Sequence, residues 1–232
     1  MGTRKITPNA AVADGTDADQ AALAGAGVER ARAPGELLAT FLRPSPTVIR
    51  IEEGLAAVRG WDVNDSVWTL AFLGPGDWFD AATLTRPGNP VFEVVAMTAT
   101  RARAIEWTAL VELARSRPAI AIAVAWSLAA LAAALAETTL ESRGRGVQHR
   151  LERLLLEFVP PEDAGREEPV ELVYAFTHEE LARAIGASRP HTSHILGELE
   201  ALGAVVRRGQ RPVLVRPRRL RELVRDPGSS RD

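Results

Sequence analysis

Apolar positions change their period along this chain, and the changes divide it. Between Val28 and Trp107 they come in short runs: Leu37-Leu38, Val48–Ile51, Leu55–Val58, Val67–Leu73, Val91–Ala96 and Arg101–Ile105. Turns rich in Pro, Gly, Asn and Asp separate them, at Arg32–Glu36, Glu53-Gly54, Gly74–Asp77 and Arg86–Pro90. Runs of that length and spacing predict the strands of a small barrel or jelly roll. The period then becomes helical. A short helix is expected over Thr108–Arg115, and Pro118 opens a long one running to about Ser142. Arg143-Gly144-Arg145-Gly146 reads as a hinge. Val147–Val159 is amphipathic, with Leu151, Leu154, Leu155 and Phe158 on one face, and Pro160–Pro169 is an acidic loop. No internal repeat is present.

The stretch Thr177–Leu202 carries the sharpest local signals. Thr177 with Glu180 makes a capping box, so a helix starts there. Leu181, Ala184 and Ile185 follow at helical spacing, and Gly186 can take the left-handed conformation that stops the helix. Ser188 is an N-cap for a second helix, with Pro190 tolerated in its first turn. Ile195, Leu196, Leu199 and Leu202 stripe one side of that helix, and Arg189, His191, Thr192 and His194 are assigned to the other. This is the layout of a helix-turn-helix, whose second helix enters the DNA major groove by its N-terminal end. Gly203–Val215 then reads as two short strands around a basic turn, a wing. Eight arginines and one acidic residue, Glu222, lie between Gly203 and Arg225, a footprint suited to phosphates.

Charge and composition narrow the picture. The 232-residue chain has a net charge of −2, so any basic surface is local. The absence of Cys removes disulfides, thiolate nucleophiles and Cys-held zinc or iron–sulfur clusters. Lys5 is the only lysine. Residues 1–27 are polar and rich in small residues; they read as a disordered tail without a signal peptide. Ala119–Ala136 holds eighteen residues without a charge, the lower limit for a membrane span. About half of it is Ala, and Ile120, Val124, Leu128, Leu131 and Leu135 form a regular seam, so the reading is a buried homodimer helix and no membrane partner.

A roll, a long helix, a hinge and a winged helix together resemble the cyclic-AMP receptor protein / fumarate–nitrate reduction regulator family of bacterial transcription factors. The resemblance runs from about Val28 to Val224. It is carried by Pro34-Gly35-Glu36, Gly54–Val58, Leu73–Phe79 and above all Thr177–Gly203. It implies an α+β fold: an N-terminal β-roll of the cyclic-nucleotide-binding type (28–117), a dimerisation helix and hinge (118–146) and a winged helix-turn-helix (147–232). In the family the Arg at the position of Arg189 pairs with guanine, in keeping with the match between an Arg fork and guanine O6 and N7. The ligand positions depart from the pattern. The ribose-binding Glu would fall near Ala81. The phosphate-binding Arg-Ser/Thr would fall near Asn89–Phe92, and Arg86 is out of register. A buried phosphate without a guanidinium leaves a charge unpaired, at a cost of several kcal/mol.

The resulting expectation is a cytoplasmic, homodimeric, sequence-specific DNA-binding regulator that does not depend on a cyclic nucleotide. Its partners are a two-fold operator, a second copy and RNA polymerase. The alternative is a sensor whose roll takes a different small molecule. The DNA-contacting set is Thr177, Ser188, Arg189, His191, Thr192, His194, Arg207, Arg208 and Arg211. The dimer set is Ile120, Val124, Leu128, Leu131 and Leu135. No cofactor and no metal are expected: His191 and His194 are one turn apart but lack further ligands, and His178-Glu179-Glu180 lacks the second His of H-E-x-x-H. No nucleophile–base–acid grouping points to an enzyme.

Overall fold

The computed structural model describes residues 16–40, 46–62, 64–80, 92–144, 146–207 and 213–225, with the side chains of 141–144, 207, 213 and 225 left aside. The described residues form two compact units, 16–138 and 139–225.

In the first unit, helix α1 (Asp17–Ala26) precedes eight strands. These are β1 (Val28–Arg32), β2 (Leu37–Thr40), β3 (Thr47–Glu53), β4 (Ala56–Trp61), β5 (Val67–Leu73), β6 (Trp78–Asp80), β7 (Phe92–Ala96) and β8 (Thr100–Glu106). They make two antiparallel four-stranded sheets, β1-β8-β3-β6 and β2-β7-β4-β5. This is the roll read from the turn spacing. Helices α2 (Trp107–Ser116) and α3 (Pro118–Gly144) follow.

Successive strand residues point to opposite faces, so one sheet can serve two cores. Ile49, Ile51, Ala102, Ala104 and Phe79 face inward, against Ala56, Val58, Ala71, Leu73 and Val94 of the other sheet. Val48, Ile105 and Trp78 face outward, under Leu23 of α1, Leu110 of α2 and Ile120 and Val124 of α3. Helix α3 feeds both cores. Ile120, Val124 and Leu128 belong to the outer one, and Leu131, Ala134 and Leu135 to the inner one. Its Ser127 hydroxyl takes the Trp78 N–H of edge strand β6 at 2.7 Å, covering a backbone group that would otherwise invite another strand.

That packing corrects the seam reading. Ile120, Val124 and Leu131 are buried in the chain's own roll, and Leu128 and Leu135 pack against it. The larger residues of the seam fill the core of their own unit. The opposite side of α3 stays exposed and is also apolar: Ile122, Ala125, Trp126, Ala129, Ala132, Ala133 and Ala136. Pro118–Leu140 is long and apolar enough to cross a membrane by length and composition, but one side of it is taken up by the sheets.

The tail reading is corrected for 17–26. Thr16 accepts from the Asp19 N–H while the Asp19 carboxylate takes the Thr16 N–H, a complete capping box. Asp19 also meets Arg117 at 2.9 Å, and the arginine's hydrogen bond holds its carboxyl below the ordinary value of 3.8. Small, polar composition suggested disorder, yet the cap and Leu23 anchor the helix. Residues 1–15 lie outside the described residues, as do Ala81, Arg86, Asn89, Pro90 and Val91.

The second unit holds α4 (Val147–Glu157), a 3-10 turn (Pro161–Asp163), β9 (Val170–Glu171), α5 (His178–Ile185), α6 (Arg189–Ala201), β10 (Val205–Arg207), β11 (Val213–Val215) and α7 (Pro217–Arg225). The three strands pair antiparallel in the order β10-β11-β9. Leu151, Leu154, Leu155 and Phe158, placed on one face by their spacing, are all buried, and Phe158 stacks edge-on with Phe176 at 4.5 Å.

Candidate nucleic-acid interface

The geometry of α5 and α6 follows from their caps. Thr177 Oγ1 accepts from the Glu180 N–H at 3.1 Å, while the Glu180 carboxylate takes the Thr177 N–H at 2.7 Å. Gly186 ends α5 at φ 62°, ψ 50°, a left-handed conformation that a side chain would oppose. Two residues later Ser188 caps α6, its hydroxyl accepting from the His191 N–H at 3.3 Å. One turn therefore separates two well-defined helix ends. Leu181 and Ile185 of α5 and Ile195, Leu196 and Leu199 of α6 are buried.

The outer side of α6 carries Ser188, Arg189, His191 and His194, all exposed as the sequence placed them. The His194 Nε2 lies 3.4 Å from the Glu198 carboxylate one turn on, and Arg189 is exposed at the start of the helix.

Two members of the expected set, and part of the arginine footprint downstream of it, have partners within the chain. Thr192 is fully buried, and its hydroxyl donates to the Ser188 carbonyl at 3.0 Å. It lies three residues before Ile195, on the core side, where a back-bond to the preceding turn satisfies it. The Thr177 hydroxyl is engaged twice with Glu180. The arginine footprint is also partly internal. Arg216 donates to the Gly203 carbonyl at 2.7 Å and Arg219 to that of Leu202 at 3.4 Å. Arg218 pairs with Glu167, and Arg221 donates to the Ala164 carbonyl. These side chains fasten the end of α6 and the acidic loop. Arg207 lies on β10, while Arg208 and Arg211 lie outside the described residues.

Other residues carry the arrangement without having been read from the sequence. His178 Nδ1 meets Ser193 Oγ at 2.8 Å, tying the first turn of α5 to the middle of α6. Arg150 Nε donates at 2.8 Å to the Ile185 carbonyl at the end of α5. The Tyr174 hydroxyl donates to Glu180 at 2.7 Å. His178 and Ser193 are fifteen residues apart, a separation at which no local pattern announces a contact. Among the described residues no group of three or more His, Cys, Asp or Glu could hold a metal.

The two roles considered for Thr177 give different results on substitution. Thr177→Ala is expected to lower unfolding stability by about 1–2 kcal/mol, the usual cost of losing such a cap. It should leave the order of preference among DNA sequences intact. Urea unfolding beside binding titrations on a panel of duplexes checks both.

Comparison with known proteins agrees with this geometry. The family model described as the Crp-like helix-turn-helix domain matches residues 149–223. None of the curated proteins matches the chain. Among solved structures, the c-di-GMP-responsive global regulator CLP of Xanthomonas campestris superposes with a TM-score of 0.71 at 19% identity, covering 86% of this chain and 99% of that one. A CooA mutant from Carboxydothermus hydrogenoformans gives 0.68 at 20% identity, over 86% of this chain and 88% of that one. A CRP-family transcriptional regulator of Thermus thermophilus, TTHB099, gives 0.66 at 23% identity, over 88% and 98%. Residues 149–223 thus form a Crp-like helix-turn-helix domain, and the fold is that of the CRP/FNR regulators, which bears out the resemblance drawn from the sequence.

Proposed function

We propose that the chain acts as a homodimeric, sequence-specific DNA-binding transcription regulator in the bacterial cytoplasm. The observation that carries the reading is Arg189: an exposed guanidinium at the capped start of the second helix in a Crp-like domain. An Arg there can reach a guanine edge in the major groove, with His191 and His194 beside it. The Ser188 end of α6 and wing residues Arg207, Arg208 and Arg211 would contact phosphates, which position the protein without reading sequence. RNA polymerase is the further partner through which the bound dimer acts. The test is selection of duplexes from a randomised pool by the purified protein. Enrichment of one two-fold sequence supports the reading; recovery of an unenriched pool defeats it.

The dimer is assigned to the outer side of α3. Ile122 and Trp126 project there, and Ala125, Ala129, Ala132, Ala133 and Ala136 leave room for a second backbone. A second copy presenting the same side would bury both, as a two-fold interface requires.

The activity is proposed to be independent of cyclic AMP and cyclic GMP. Supporting this, Ala81 stands where the family has its ribose-binding Glu, and no Arg stands in the phosphate register. The described roll interior is packed with Leu38, Ile49, Ile51, Leu73, Phe79 and Val94. Calorimetry with either nucleotide is expected to give no heat of binding at micromolar concentration. Since one fold relative is described as c-di-GMP-responsive, that dinucleotide belongs in the same titration. Saturable binding of any of the three would favour the roll as a sensor.

A further inference from the structure

We propose that Gly197 is a clearance position in α6, where the DNA surface comes too close for a side chain. The inference rests on α6 being the DNA-reading helix. Gly197 lies seven residues after Pro190 and three after His194, and so centres on the side opposite Thr192, Ile195, Leu196 and Leu199.

A glycine inside a helix destabilises it relative to alanine, because its unfolded backbone has more freedom to lose. Such a residue needs a reason, and the usual internal reasons are missing. Among the described residues, a Cβ at Gly197 would meet no heavy atom within 4 Å, leaving aside its chain neighbours and the helix's own nearby backbone. At Gly27 it would meet the Ala104 carbonyl oxygen at 2.9 Å, and at Gly60 the Leu70 side chain at 3.0 Å. Nor does the backbone require glycine: the left-handed glycines are Gly35, Gly54, Gly76, Gly186 and Gly203. Gly25 in α1 has the same open space, so what singles out Gly197 is its place on the side of α6 turned toward the groove. Without a Cβ at this point the helix axis can sit deeper. Depth in turn governs how far Arg189 and His194 reach toward base edges, which makes Gly197 a positioning residue.

The experiment uses the full-length protein and a fluorescent duplex carrying the two-fold site that the wild type selects from a randomised pool. Gly197→Ala is expected to raise the melting temperature by about 2–4 °C, since a poor helix former is replaced by the best one. It should nevertheless weaken binding by about tenfold, as an overpacked contact does. Gly197→Arg should weaken binding further, although an added cation in an open groove would strengthen it and steepen its salt dependence. Wild-type or improved affinity in Gly197→Ala overturns the clearance role while leaving DNA recognition standing. Failure of the wild type to select any site would defeat the DNA-reading assignment itself, and the clearance role with it.

Discussion

Replacing Trp126 with glutamate is expected to turn the protein into a monomer that still folds. Trp126 is 59% exposed, so the charge meets water when no partner is present. At a two-fold interface two copies of it would face an apolar, alanine-lined surface with no counter-ion, and the uncompensated burial would hold the copies apart. Affinity for a full operator is then expected to fall by about 100-fold or more, because the second half-site is no longer held at high effective concentration. Leu131→Ala is the contrasting variant. Leu131 is 7% exposed in the inner core of the roll, and its truncation should cost about 2–5 kcal/mol of stability. Sedimentation and thermal melting, run on both variants, separate the two sides of the helix. A Trp126→Glu protein that sediments as a dimer would remove α3's outer side from the interface.

Arg189→Ala should act on a different quantity. Loss of a fork matched to guanine is expected to cost about 1–3 kcal/mol at the preferred half-site and to flatten discrimination at one base pair. Arg208→Ala, at a position read from the sequence as part of a wing, should weaken all duplexes nearly equally and reduce the salt slope by about one unit, as a lost phosphate contact does. Titrations against single-base operator variants at several salt concentrations measure both. If Arg189→Ala preserves the ranking of those variants, another element reads the sequence.

The two halves of the molecule differed in how openly their residues announced the structure. The helix-turn-helix was legible because each of its ends is specified within a few residues: Thr177 with Glu180, Gly186, then Ser188. Strand positions in the roll were legible for a similar reason, since turns recur at short intervals. Helix α3 was legible as a helix but not in its orientation. Both of its sides are apolar, and periodicity marks an apolar side without saying whether a sheet or a second copy will cover it. Most of the larger residues went to the core and most of the alanines to the surface, with Ile122 and Trp126 left on the exposed side. Thr192 was misplaced because its hydroxyl suggested water, whereas its position between Ser188 and Ile195 put it in the core. Arg216 and the arginines of α7 belong to the same class. A cation can serve a phosphate or a carbonyl, and only the folded arrangement of Leu202, Gly203 and Ala164 shows which it meets.

The clasp formed by Arg216 and α7 also constrains the order of events during synthesis. The arginines at 216, 219 and 221 hold carbonyls at 203, 202 and 164, all upstream of them. The whole of α6 has therefore been synthesised before the residues that secure its end have been made. Domains form as units during elongation. Helix α6 accordingly reaches its final setting only once residues 216–221 have cleared the exit tunnel, and a chain ending at Val215 would lack the clasp.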